Sequence, residues 1–193
     1  RQGVDVNFAR TTTGDGYYVW NRDQGAYSDL DMLSFLLLIL IDNAVARSQA
    51  SGNTVPVIRS AFHIGSHYEL FQAEGVNPSV LSYIVGDVTI TLARMLESAQ
   101  AGQIVFGNFQ AHLPERDGFF GAQEFVVQAI AELKELDKLR VAGQSLNDIC
   151  VVTPEQGALQ VLSMVDKHGM TLEAVNLELD IELADERPRL GAR

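Results

Sequence analysis

The chain has 193 residues, 47% of them hydrophobic and 20% charged, with a formal net charge of −11. That apolar share supplies a core and excludes a disordered chain. The acidic balance excludes a surface built to hold nucleic-acid backbones or an anionic membrane, and an anionic substrate would need metal ions or local cations beside it. The one cysteine, Cys150, excludes an intrachain disulfide and points to a reducing cytoplasm. Residues 1–10 carry no signal-peptide pattern. The long apolar run Phe35–Ile41 lies between Asp31 and Asp42. It falls well short of the ~20 residues a spanning helix needs, so it reads as the middle of a buried helix.

Phe8–Thr13 and Tyr17–Asn21 are rich in Thr, Tyr, Val and Trp and read as two strands joined at Gly14-Asp15-Gly16. Leu30–Arg47 predicts a helix buried on more than one side, with Ser28 or Asp29 as its N-cap. Val55–Ile64 reads as a strand, and His67–Gln72 as its antiparallel partner across Gly65-Ser66. Gly75–Pro78 marks a loop. A helix over Val88–Ala99 follows, with Asp87 in the capping role, Val88, Leu92, Met95, Leu96 and Ala99 on its apolar stripe, and Gly102 beyond its end. Gln103–Phe106 predicts a short buried strand. Ala122–Arg140 predicts a further helix, striped by Phe125, Ala129, Leu133 and Leu136. Ile149–Val152, Leu159–Val165 and Leu172–Leu183 read as strands, with a closing turn at Lys167–Met170. The whole predicts an α+β sandwich, one antiparallel-rich sheet with helices on one face. It reads as one domain over residues 1–183 with a charged tail or linker over 184–193.

Three stretches in register resemble the class III adenylate/guanylate cyclases. Thr12-Thr13-Gly14-Asp15-Gly16-Tyr17 is similar to that family's Thr-x-Gly-Asp-Gly hairpin. Arg59-Ser60-Ala61-Phe62-His63-Ile64-Gly65 resembles its Arg-Ile-Gly-Ile-His-x-Gly strand. Tyr83-Ile84-Val85-Gly86-Asp87, then Ala93-Arg94-Met95, Ala99 and Gly102-Gln103-Ile104, follow its Gly-Asp, Ala-Arg-Leu and Gly-Gln-Ile spacings. The resemblance implies a ferredoxin-like cyclase fold and a head-to-tail homodimer with sites between the chains. It also implies two Mg²⁺ or Mn²⁺ ions held by two Asp residues, and conversion of ATP or GTP to a 3′,5′-cyclic nucleotide and pyrophosphate.

On that resemblance Asp15 falls on the second metal-binding Asp and Arg94 on the phosphate-contacting Arg, whose planar donor fork suits phosphate oxygens. Asp15 equally reads as a side chain satisfying its own turn, and Arg94 as one half of a helix-surface ion pair. Thr11 and Tyr83 stand where the family has its base-recognising Lys and Asp, so ATP and GTP are not distinguished. Ile90 stands at the Asn position and can donate no hydrogen bond. Lys167 falls near the cation that steadies the reacting phosphate, and equally reads as a solvated lysine. The family's first strand, with the first metal Asp, has no counterpart. It is expected upstream of Arg1, with Ile149–Val152 as the alternative occupant of its place. These substitutions leave three readings open: an active cyclase, a degenerate cyclase homology domain used for dimerisation or nucleotide sensing, and an enzyme acting on another phosphorylated small molecule. His63 and His67 form no tight metal spacing with His112 and His168, and Cys150 reads as a core thiol.

Overall fold

A computed structural model of the chain describes residues 8–71, 82–136, 139–152, 159–165 and 169–191. Strands β1 (Phe8–Thr12) and β2 (Tyr17–Asn21) pair antiparallel from Phe8↔Asn21 to Thr12↔Tyr17. The Gly14-Asp15-Gly16 turn closes them as the sequence predicts. Gly14 takes φ +84, which only glycine adopts without strain, and the Thr13 N–H donates to the Gly16 carbonyl. Helix α1 (Ser28–Gln49) buries Leu30, Leu33, Leu37, Leu40, Ile41 and Val45, the spacing of a core-facing stripe. Its cap position is held by Tyr27 without a side-chain bond. The Ser28 hydroxyl donates instead to the Gly25 carbonyl at 2.7 Å.

Strand β3 (Ser60–Phe62) is much shorter than the predicted 55–64. Pro56 offers no N–H to a ladder. The expected hairpin across Gly65-Ser66 is also corrected. Strand β4 (Tyr68–Phe71) pairs with β5 (Ser82–Val85), while β3 runs parallel to β6 (Ile104–Gly107). Helix α2 (Asp87–Ser98) bridges these parallel strands, as a crossover must. Its N-cap is Gly86, and Asp87 sits in the first turn rather than at the cap.

Two short strands, β7 (Gln110–Ala111) and β8 (Phe120–Gly121), precede helix α3 (Ala122–Glu135). The predicted extension of α3 to Arg140 fails because β9 (Arg140–Val141) turns straight into β10 (Gln144–Val151). Ala142 and Gly143, at φ +49 and +80, form the two-residue turn. The chain ends with β11 (Gln160–Val165), β12 (Thr171–Leu177), β13 (Leu179–Leu183) and β14 (Arg189–Leu190). The single strand expected over 172–183 breaks at Glu178, where the chain passes from one sheet to another. Part of the charged 184–193 segment folds back: β14 pairs with β13 and buries Leu190.

The larger sheets run β11-β12-β6-β3 and β14-β13-β10-β9. Both are antiparallel apart from the β3–β6 pair. The chain is thus a mixed α+β protein, but the first sheet is covered on both faces rather than one. Val105, Ala174 and Met164 meet Met95 and Ala99 of α2 and its end. Phe62, Ile104, Phe106 and Leu177 face the cluster built on α1 and α3. There Phe62 lies 5.5 Å from Phe106 and 6.0 Å from Phe125, ring centre to ring centre. Ile149–Val151 falls within β10, in the second sheet, so this segment does not occupy a place beside β3.

Candidate functional site

Of the three stretches that carry the family resemblance, the first and the start of the third sit on neighbouring hairpins. Asp15 projects from the exposed tip of β1–β2, and Thr11 faces Tyr18 across the ladder. The neighbouring hairpin, β4–β5, is clamped to the first by Arg22, just past β2. Arg22 Nε donates to both carboxylate oxygens of Glu69 at 3.0 Å, and Nη2 donates to Glu69 and to Ser82 Oγ, the latter at 3.2 Å. The hydrogen bond from Arg22 holds the Glu69 carboxyl below the usual carboxylate range, and the same bond raises Arg22. The Arg22 guanidinium also lies 5.9 Å from the Phe71 ring centre, within cation–π reach.

This clamp fixes which faces meet. Successive strand side chains alternate between faces. Glu69 and Ser82 therefore turn the inner face of β4–β5 toward Arg22 and Trp20. Tyr83 and Val85 lie on the other face, opposite Leu70 and Tyr68, and all four are exposed. Thr11 shares the face of buried Trp20. Thr11 thus lies on the Trp20 face of its own hairpin, and Tyr83 on the exposed outer face of the neighbouring one.

Between β5 and α2 the chain passes through Gly86 at φ +151. A Cβ at Gly86 would lie 2.7 Å from the Ser66 carbonyl oxygen and 3.0 Å from the His67 Cα. Only glycine fits this crossing. The Gly86 carbonyl then accepts the Thr89 N–H at 3.1 Å and the Thr89 hydroxyl at 2.7 Å, which starts the helix. Ile90 is 51% exposed on the first turn. Arg94, half-buried, lies one turn later on the same side of α2. Lys167 lies outside the described residues.

The two-metal chemistry implied by the resemblance calls for a pair of Asp carboxylates. Asp15 contributes one carboxylate at an exposed tip. Among the described residues no group of three or more His, Cys, Asp or Glu side chains is placed to hold a metal ion. Of the two Asp ligands that the resemblance implies, the described residues present one candidate, Asp15. His63 packs against Gly107 and edge-on to Phe109, its centre 5.9 Å from that ring. Burial lowers its pKa, and its buried Nδ1 has no hydrogen-bond partner.

Sequence reasoning missed two polar clusters. The Arg22–Glu69–Ser82 clamp links residues 47 and 60 positions apart, and no local pattern signals it. The second joins α3 to β10. Lys134 Nζ lies 2.8 Å from Asp148 Oδ1, and Cys150 Sγ donates to Asp148 Oδ2 at 3.1 Å. Lys134 holds the Asp148 carboxyl down to about 2. Cys150 is exposed, which corrects its reading as a core thiol. Its strand alternates, and buried Ile149 takes the inward position beside it. Comparison of the chain with protein-family models, curated proteins and solved structures gave no significant match.

Proposed function

We propose that the chain is a class III nucleotide cyclase homology domain that serves dimerisation or nucleotide sensing rather than turnover. One observation carries this reading. Tyr83 and Ile90 fall where the resemblance calls for the base-recognising Asp and the Asn, and both are exposed apolar groups flanking the exposed Val85. Ile90 cannot orient a nucleotide by hydrogen bonding. An exposed apolar run of this kind is suited to covering by another surface. Asp15 and Arg94 would remain as polar contacts to a nucleoside triphosphate, with Arg94 as the phosphate donor. The ferredoxin-like cyclase topology and the head-to-tail homodimer belong to this same reading, as does a cytoplasmic setting. Cyclisation of ATP or GTP is the second reading. The presentation of Asp15 at an exposed tip, between two glycines, favours it.

The test is incubation with ATP and GTP in the presence of Mn²⁺ or Mg²⁺, beside an Asp15→Ala variant. Nucleotide binding and light scattering are measured on the same samples. The expected result is no cyclic product from either nucleotide, with nucleotide binding or a dimer retained. Cyclic product that vanishes in Asp15→Ala would replace this reading with the active cyclase. A monomer at high micromolar concentration that binds neither nucleotide would remove both.

A further inference from the structure

Strand β11 closes one end of the sheet β11-β12-β6-β3. It pairs with β12 through an unbroken register from Gln160↔Asn176 to Val165↔Thr171. Among the described residues no strand takes its outer edge. Free edges of this kind are normally guarded by Lys, Pro, a bulge or shortness. Gln160–Val165 has none of these: six regular residues, no bulge and no charged side chain. Yet the chain as a whole carries a net charge of −11.

The sequence of the edge is symmetric in character about Ser163: Val161-Leu162-Ser163-Met164-Val165. Its two faces are equally ordered. Leu162 and Met164 turn inward to the cluster of Met95, Val105 and Ala174. Val161, Ser163 and Val165 occupy the other face, with Val161 and Val165 65% and 61% exposed.

We infer that β11 is a self-pairing edge, and that two copies of this chain join there antiparallel about a two-fold axis at Ser163. A two-fold axis perpendicular to the sheet keeps each face on its own side, so residues opposite one another must share parity. Centring on Ser163 satisfies this. Ser163 meets the partner's Ser163, Val161 meets the partner's Val165, and Leu162 meets the partner's Met164. Exposed valines thus cover exposed valines, and Leu162 and Met164 extend the buried layer over α2. The contact is isologous and closes as a dimer. Neither strand brings a charge to it, which lets two acidic chains approach along this line. Main-chain hydrogen bonds supply affinity and the valine pairs supply register. This inference does not rest on the nucleotide reading.

The test uses position-specific cross-linking. In a Cys150→Ser background, Ser163→Cys puts two thiols directly opposite, with Cα atoms about 4.5–5.5 Å apart, inside the disulfide range. Val161→Cys is the control. Its two copies would sit four residues out of step, about 14 Å apart along the strand. The expected result is rapid covalent dimer from Ser163→Cys under mild oxidation and little from Val161→Cys. In sedimentation equilibrium, Val161→Lys combined with Val165→Lys would set ammonium groups opposite one another at both ends. The dimer dissociation constant would then rise by at least about tenfold. Both positions are exposed, and circular dichroism checks that the fold is kept. Equal cross-linking at positions 161 and 163 overturns the inference. So does self-association indifferent to the lysine pair, or a protein monomeric at high micromolar concentration. An Ile90→Lys variant separates the two surfaces: it leaves the Ser163→Cys cross-link intact while disturbing an interface through Tyr83 and Ile90.

Discussion

Replacing Gly86 by alanine tests whether the crossing between the 65–67 segment and the start of α2 is as tight as the structure has it. Two costs add. At φ +151 and ψ 177 the backbone is in a region open essentially to glycine alone, a strain on the order of 1–3 kcal/mol for any other residue. The added Cβ also meets the Ser66 carbonyl oxygen at 2.7 Å and the His67 Cα at 3.0 Å. Both are main-chain atoms, so no side chain can swing aside. Such overpacking costs roughly a further 1–3 kcal/mol. The expected loss is about 4 kcal/mol, a large part of the ~5–15 kcal/mol that holds a domain together. Gly14→Ala is the matched control: its φ is +84, but an added Cβ there meets nothing within 4 Å. It should lose only the backbone term of about 1–2 kcal/mol. Urea unfolding read by fluorescence of the single tryptophan, Trp20, which is buried, measures both. Losses for Gly86→Ala and Gly14→Ala within about 0.5 kcal/mol of one another would refute the close crossing, and with it the tie between β4 and α2.

Three further outcomes follow from single residues. Phe106→Ala removes a fully buried ring from among Phe62, Phe109 and Phe125, and should cost about 3–5 kcal/mol in the same unfolding assay. His63 has its pKa lowered by burial. As pH falls below the ordinary histidine value of about 6.5, the unfolded chain takes up a proton that the folded one resists. Stability at this site is therefore full above that value and declines toward the lower folded pKa, and an imidazole NMR titration with a midpoint at or above the ordinary value would contradict it. Cys150 should be alkylated by iodoacetamide without unfolding, since it is exposed. Its hydrogen bond to Asp148 is the largest influence raising the thiol, so Asp148→Asn should speed the reaction at pH 8, and an unchanged or slower rate would count against that bond.

What the sequence made legible was local. The Gly14-Asp15-Gly16 turn needs only its glycines and the flanking β-formers. The long apolar stripe from Leu30 to Val45 needs only its spacing. Several misreadings were decided by partners outside the segment being read. Gly65-Ser66 has the look of a hairpin turn, but β3 is drawn to β6 by the α2 crossover, and Arg22 captures Glu69 for the other hairpin. Leucines 133, 136 and 139 continue a helical stripe, yet α3 stops at Glu135 because Ala142-Gly143 sets a tight turn that recruits Arg140 into β9. At the candidate site the motif order located Asp15, Gly86 and Arg94 on the element types expected of them. It did not foresee that alternation along β5 sets Tyr83 on the outer face of β4–β5, because that depends on the clamp from Arg22.

The distribution of charge connects these features to assembly. The chain carries eleven more acidic than basic side chains, yet β11 and the outer face of β4–β5 formed by Tyr68, Leu70, Tyr83 and Val85 carry none. Two copies approaching through either surface repel through the rest of the molecule, not through the contact. Repulsion of that kind acts over distance and is screened once the Debye length shrinks to about 10 Å, near 0.1 M salt. Contacts made by valines, tyrosines and main-chain hydrogen bonds are not weakened by such screening. Self-association should therefore strengthen as salt rises from about 0.02 to 0.3 M, whereas an interface held by ion pairs would loosen over the same range. Sedimentation equilibrium across that range separates the two cases. A dissociation constant that rises with salt would place the contact on charged surface, away from both β11 and the β4–β5 face.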